Sequence, residues 1–244
     1  MEDIFARHKK IILMFSGGKD SLACLYLLKP YWNQLTVLWM NTGNMFPENE
    51  AIVRKFAAEV PNFMEVTSDV NAFKAQYGLP SDIVPIEYTE MGDAVSGKKD
   101  IKLINGYDCC AHNLWFPALR AAQDFGATLI IRGQRNEEKE KSPVRSGDII
   151  DGCEFLFPLE EWTQGEVLSY LKEQGFDYPE FFHFSESSLD CINCTAFLQV
   201  NSDRSDYMVK THPIEHAKNQ DNLKKMLAVI ESETAVMQKY AGII

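Results

Sequence analysis

Two kinds of apolar spacing alternate along the chain. Ile11 to Phe15 is a short, nearly continuous apolar run between Lys9-Lys10 and Gly17-Gly18, which predicts a buried strand entering a turn. Beyond the turn, Leu22, Leu25 and Leu28 recur at three-residue steps with Ala23 and Cys24 between them, the pattern of an amphipathic helix. Asp20 and Ser21 stand at its start, where capping and acidic side chains are favoured. A second strand follows over "LTVLWMNTG" (Leu35 to Gly43). The next segment, "FPENEAIVRKFAAEV", is helical, with Pro47 near its start and Ile52, Phe56 and Ala57 on one face. Phe63 to Ser68 is a third strand, and "DVNAFKAQYG" a short helix closed by Gly78.

Residues 79 to 107 carry no clear period and predict a long connection. Asp108 to Phe125 is helical, with Pro117 forcing a kink or a break. "ATLIIRGQR" predicts a fourth strand running into a loop, and "CEFLFPL" a fifth. "TQGEVLSYLKEQG" is a helix with a capping box, Thr163 and Glu166, and a stop at Gly175. From about Asp221 to Tyr240, Leu223, Met226, Leu227, Ile230 and Met237 lie on one face of a last helix. Strands alternating with helices predict an α/β fold, an open, mostly parallel sheet with helices on both faces. Residues 1–244 read as a single domain, on which residues 200–244 pack as a helical tail that could also form a homodimer contact.

Composition narrows the function class. The chain has 244 residues, 45% of them hydrophobic and 24% charged, as in a soluble globular protein. No apolar run approaches a bilayer span and "MEDIFARHKK" lacks the core of a signal peptide, so no membrane association and a cytoplasmic location are expected. The net charge of −11 disfavours a general grip on nucleic acid but leaves room for a local pocket for one nucleotide.

Strand, glycine turn and helix start together make an anion site. Glycines let backbone approach a ligand, and the first helical N–H groups lack intrahelical acceptors; Lys19 adds a point charge. The segment matches neither G-x-x-x-x-G-K-[ST] nor G-x-G-x-x-G, and a tight turn with a surface lysine has the same local pattern. The six cysteines include two pairs, adjacent Cys109-Cys110 and Cys191-x-x-Cys194. Together they suit four-thiolate ligation of zinc or an iron–sulfur cluster; apart, they read as core residues and a redox pair. Cys24 reads as a buried small hydrophobe, and Cys153 as core or edge packing or, alternatively, a sulfur carrier.

Five segments in order carry a resemblance. "FSGGKDS" resembles the PP-loop of the adenine nucleotide α-hydrolase-like superfamily. "MNTGNMFPEN", "IRGQRNEEKEKSPVR", "FPLEEWTQGEVLSYLKEQG" and "SLDCINCTAF" resemble successive segments of its phosphoadenosine phosphosulfate (PAPS) reductase family, over about residues 10 to 197. The resemblance implies a Rossmann-like fold. It also implies an adenine-nucleotide site formed by Ser16, Gly17, Gly18, Lys19, Asp20, Ser21, Asn41, Thr42, Gly43, Arg132, Gly133, Arg135 and Arg145. Lys19, Asp20 and Arg135 are the catalytic candidates. The C-C then C-x-x-C pattern resembles that of adenylylsulfate (APS) reductases, which implies a 4Fe–4S cluster on Cys109, Cys110, Cys191 and Cys194, with zinc as the alternative.

Two departures qualify the reductase activity. Asn113 and Leu114 stand where that branch has Arg-Lys, and no cysteine follows Cys194 in a chain ending "MQKYAGII". The expectation is thus a cluster-containing PP-loop enzyme that uses ATP, with Mg²⁺, in adenylation and sulfur transfer. A sulfur-donor or thiol-reductant protein would be its partner. The alternatives are a sulfonucleotide reductase acting on APS or PAPS with Cys153 or a partner thiol, and a non-catalytic nucleotide-binding or redox-sensing module.

Overall fold

The computed structural model describes residues 1–244 except 98, 140, 184–189 and 201. Glu140 in the basic loop and Ser188-Leu189 before the second cysteine pair therefore lie outside the described residues. In chain order the elements are α1 (Glu2–Arg7), β1 (Ile11–Met14), α2 (Lys19–Leu27), β2 (Leu35–Asn41), α3 (Pro47–Ala57) and β3 (Phe63–Thr67). Then come α4 (Val70–Tyr77), β4 (Leu79–Ser81), α5 (Glu90–Ser96), β5 (Leu103–Asn105), α6 (Gly106–Cys110) and α7 (Phe116–Phe125). The last are β6 (Leu129–Ile131), β7 (Ile149–Ile150), β8 (Cys153–Leu156), α8 (Gln164–Glu173), α9 (Ser202–Thr211) and α10 (Pro213–Tyr240). They group into two compact units.

The first unit comprises Met1–Asn41, Met45–Ser68 and Leu114–Asp190. Its sheet has the order β3-β2-β1-β6-β8-β7, parallel throughout except for the β7–β8 pair. Ile11, Ile12 and Leu13 are all buried, and the run is continuous because both sheet faces are covered. Ile12 shares one core with Leu38, Ile130, Phe155 and Phe157, closed by Ala122 of α7. Elsewhere in the unit α2 packs on α8, with Tyr26, Phe56 and Phe176 in edge and tilted contact. The predicted capping box is present, Thr163 N–H donating to Glu166 Oε2 (2.7 Å) and Glu166 N–H to Thr163 Oγ1 (3.3 Å). The parallel α/β sheet with helices on both faces is thus the fold that the alternation predicts. The sequence pattern misses β7, whose two residues are too few to show a period.

The second unit comprises Thr42–Asn44, Asp69–Asn113 and Cys191–Ile244. Here the expected long connection over residues 79 to 107 is a built element. β4 and β5 pair in parallel, Leu79 opposite Leu103, and α5 lies between them in sequence. Three-residue strands leave no readable alternation, which is why the sequence gives no warning of them. The last helix starts at Pro213, a residue suited to a first turn, and not near Asp221. The predicted break before Pro117 is a π-type turn over Ala111–Trp115. Proline cannot donate to the carbonyl four residues back and crowds it, so the helix widens there.

At the β3 edge of the sheet, Arg54 of α3 donates to Glu65 twice (2.6 and 2.9 Å), and Asn41 Nδ2 donates to the same carboxylate (2.8 Å). Arg54, ahead of the opposing cost of burial, holds the Glu65 carboxyl below the usual carboxylate range. A lowered carboxyl adds stability above its unfolded pKa and loses it as pH falls through the folded one. Glu65→Gln should therefore reduce stability at neutral pH and flatten its fall below about pH 4.5, as followed by urea midpoints across an acid series. An unchanged acid limb would show that the pair contributes nothing.

Candidate functional site

β1 delivers the chain to a loop at the C-terminal edge of the sheet, beside the point where strand order reverses between β1 and β6. Open parallel sheets bind ligands at such a point. Gly17 has φ of 79°, and a Cβ there would stand 2.8 Å from Val53 Cγ2 and 2.9 Å from the Asn49 carbonyl. Only glycine meets both demands. Ser16 and Ser21 brace the loop. Gly18 N–H donates to Ser16 Oγ (3.3 Å), Ser21 Oγ donates to the Gly18 carbonyl (3.0 Å), and Ser16 N–H donates to Ser21 Oγ (3.3 Å). The helix then opens with the amides of Lys19, Asp20 and Ser21, which have no acceptor within it. The predicted strand, glycine turn and helix start are in place.

Lys19 is not the surface lysine of the alternative reading. It is 4% exposed, and its ammonium lies 3.1 Å from Asp20 Oδ2. The other oxygen of Asp20 accepts from Arg135 Nε at 2.7 Å. Arg135, 2% exposed, also donates to Glu137 (2.7 Å), with Glu138 at 3.9 Å. The network thus runs from the loop after β1 to the loop after β6. Gly133 makes the approach close enough, since a Cβ there would meet the Asp20 carbonyl carbon at 2.7 Å. Burial, and next the charge of Asp20, push the Glu138 carboxyl above its usual range. Burial likewise lowers Arg132, whose carbonyl lies 3.7 Å from the Cys24 thiol.

The remaining arginine of the sequence set, Arg145, is exposed and turned onto the carbonyls of Ser142 (3.4 Å) and Val144 (3.3 Å). Sequence reasoning missed the residue that fixes this loop. Buried Gln134 takes the Ser142 amide (2.9 Å) and donates to the Ser142 carbonyl (3.2 Å). It also missed Glu137 and Glu138, visible in "RNEEKE" only as part of a charge run. Gly17→Ala should destabilise the chain by on the order of 1–3 kcal/mol, read as a lowered melting temperature. An unshifted melt would show that the loop accepts a side chain.

In the second unit Cys191 lies beside Thr42, and Cys109 lies near Cys194. Gly106 at the start of α6 has no room for a side chain, because a Cβ would lie 2.7 Å from Ala196 Cβ. That close approach sets α6, with Cys109 and Cys110, against the segment after Cys194. The segment is tied down by Thr195 Oγ1 to the Pro80 carbonyl (2.6 Å) and by the Phe197 and Leu198 amides to Asp82 (2.5 and 2.9 Å). Thr42, fully buried, has its hydroxyl 3.6 Å from Cys191 Sγ, and Gly43 beside it has φ of 71°. Buried Asn113 donates to the Cys109 carbonyl (2.9 Å), with Cys109 Sγ at 3.9 Å.

Burial pushes the Cys109 thiol up to about 11, with Lys74 pulling it down and Cys194 raising it further. Members of the two cysteine pairs are therefore near enough to act on each other. Among the described residues no three His, Cys, Asp or Glu side chains converge to hold one metal ion. Cys24 is the buried small hydrophobe expected. Cys153 packs partly buried against the sheet core, and burial raises its thiol.

The chain matches known proteins over most of its length. Residues 10–197 match the phosphoadenosine phosphosulfate reductase domain. A phosphoadenosine 5'-phosphosulfate reductase of Gloeobacter violaceus is 26% identical over 196 residues, covering 77% of this chain and 72% of that protein. A 7-cyano-7-deazaguanine synthase of Pyrococcus horikoshii is 21% identical over 250 residues, covering 82% of this chain and 98% of that one. The crystal structure of PAPS reductase from Candida auris, a phosphate complex, superposes with a TM-score of 0.51 at 18% identity, over 74% of this chain and 80% of that chain. That likeness is one of fold, and with it the matched domain decides the assignment: the chain belongs to the phosphoadenosine phosphosulfate reductase domain family, whose relatives here are enzymes.

Proposed function

We propose that the chain is an adenine-nucleotide-dependent enzyme that activates an acceptor with ATP for sulfur transfer, with a 4Fe–4S cluster on Cys109, Cys110, Cys191 and Cys194. The observation that carries the nucleotide half is the buried Lys19–Asp20–Arg135 network beneath three open amides at the α2 N-terminus. The amides of Lys19, Asp20 and Ser21 and the Lys19 ammonium face the phosphates. Asp20 keeps both cations in place, and Gln134 orders the facing loop. An acceptor oxygen attacks the α-phosphorus, its bond to the bridging oxygen breaks, and pyrophosphate leaves. The negative charge that develops on the leaving oxygens is taken by those amides and Lys19, which are ordered beforehand and need no rearrangement. A sulfur nucleophile then replaces AMP on the activated carbon.

The carboxylates favour ATP over a sulfonucleotide. Asp20, Glu137 and Glu138 crowd around Arg135, and Mg²⁺ is usually held by one or two carboxylates together with substrate phosphates. When bound there, the ion would screen phosphate charge. What supports a cluster over zinc is the resemblance of the C-C then C-x-x-C pattern to that of adenylylsulfate reductases, since four thiolates by themselves suit either group. Such a cluster would supply a thiolate-held redox or sulfur-handling centre. The reductase reading is weaker, because Cys153, its internal nucleophile, is raised by burial and so is less thiolate at neutral pH.

Anaerobically purified chain of known iron and zinc content should bind ATP in calorimetry and release pyrophosphate with its acceptor. Lys19→Ala should lower turnover by about 10²-fold. Failure to bind any adenine nucleotide would overturn the proposal, and sulfite release from APS or PAPS with a thiol donor would establish the reductase instead.

A further inference from the structure

The Cys191–Cys194 turn is held in an unusual way. Three consecutive carbonyls each receive a side-chain donor, and each donor comes from a different helix. Asn219 Nδ2 of α10 donates to the Ile192 carbonyl (2.9 Å), Lys74 Nζ of α4 to that of Asn193 (2.8 Å), and Arg204 Nη2 of α9 to that of Cys194 (3.0 Å). The carbonyl of Cys191 takes the Cys194 amide (3.3 Å). No carbonyl from Cys191 to Cys194 is left to rotate. The Ile192 amide is fixed too, donating to the Asn44 carbonyl at 2.9 Å.

Two of the three donors belong to helices that follow residue 197, where the family match stops. Asn219 is 7% exposed and Arg204 8%, and Met208 between them is buried. Ser205 and His216 link α9 to α10 at 3.1 Å. The choice of donors also needs a reason. A neutral side chain such as that of Asn219 can also hold a carbonyl, and burying a guanidinium costs stability unless an anion repays it. Among the described residues neither cation has a carboxylate within ion-pair distance.

We infer that α9 and α10 are part of the cysteine centre. Asn219 locks the backbone of the Cys-x-x-Cys turn, while Lys74 and Arg204 both lock it and balance the negative charge of a thiolate-bound metal group. Lys74, Arg204 and Asn219 are positioning residues, and the helices beyond the family domain belong to the centre's outer shell. Outer-shell hydrogen bonds and net charge set how tightly a thiolate centre is held and how readily it is reduced.

This inference rests on the metal-centre reading above, and the test separates the two. Parent chain is reconstituted with iron and sulfide, or loaded with Co²⁺ alone, and its metal content, loss to a chelator and midpoint potential are measured. Asn219→Ala should lose metal about tenfold faster than the parent, with its potential nearly unchanged. Lys74→Met and Arg204→Met should shift the potential downward, since removing a positive charge disfavours the reduced, more negative form. Arg204→Lys should restore it. The potential distinguishes charge balance from packing, which a merely structural role would leave alone. If Arg204→Met does not fold, Lys74→Met and Arg204→Lys carry that arm. Parent-like potentials and release rates in a loaded set of variants overturn the inference and leave the metal centre standing. A parent chain that takes up neither iron nor cobalt overturns the metal centre, and the inference with it.

Discussion

One carboxylate sets the order of the first unit's loops. Asp20 meets Lys19 with one oxygen and Arg135 with the other, and so joins the turn after β1 to the turn after β6 across the point where strand order reverses. Both cations are buried, and a buried charge without its partner costs several kcal/mol, of order 3–5 when a pair is broken. Neither loop can therefore move far without exposing the other's charge. Gly133 serves that constraint by letting its backbone approach Asp20, while Gly17 and the bracing serines shape the turn that precedes the pair.

Much of this was legible in the residues, for identifiable reasons. The continuous run Ile11 to Phe15 and the three-residue steps from Leu22 to Leu28 are long enough to show their periods, and the strand–turn–helix follows. The same is true of Thr163 with Glu166, a local motif whose two hydrogen bonds lie within four residues. The ion network was legible only as a set of charged residues. Asp20 and Arg135 are 115 positions apart, and sequence spacing says nothing of a 2.7 Å contact between them. Arg145 shows the converse, an arginine in the right segment whose guanidinium folds back on its own loop. In the second unit, β4 and β5 are too short for any period, so the scaffold under the cysteines was hidden even though the cysteines were plain.

The second unit solves a different problem with similar means. A turn such as Cys191–Cys194 has few internal hydrogen bonds of its own. Donors from three helices supply what the turn lacks. Thr42 is a case in point. The resemblance of the second-strand segment makes it a nucleotide-site candidate, and its buried hydroxyl also lies against Cys191. A motif read in one dimension names the residues that matter and leaves open which neighbour each one serves.

The six-stranded sheet has an ending at each side, and neither is a long, uncharged strand. An unpaired strand edge invites another chain to add to it, most readily when it is long, flat and apolar. At one side stands β7, two residues long and antiparallel, too short to template a neighbour despite the exposed Ile149 and Ile150. At the other side the edge strand β3 carries Glu65, a charged residue paired with Arg54. The same carboxylate that ties α3 to the sheet thus also puts a charge on its edge strand, a feature that discourages edge pairing.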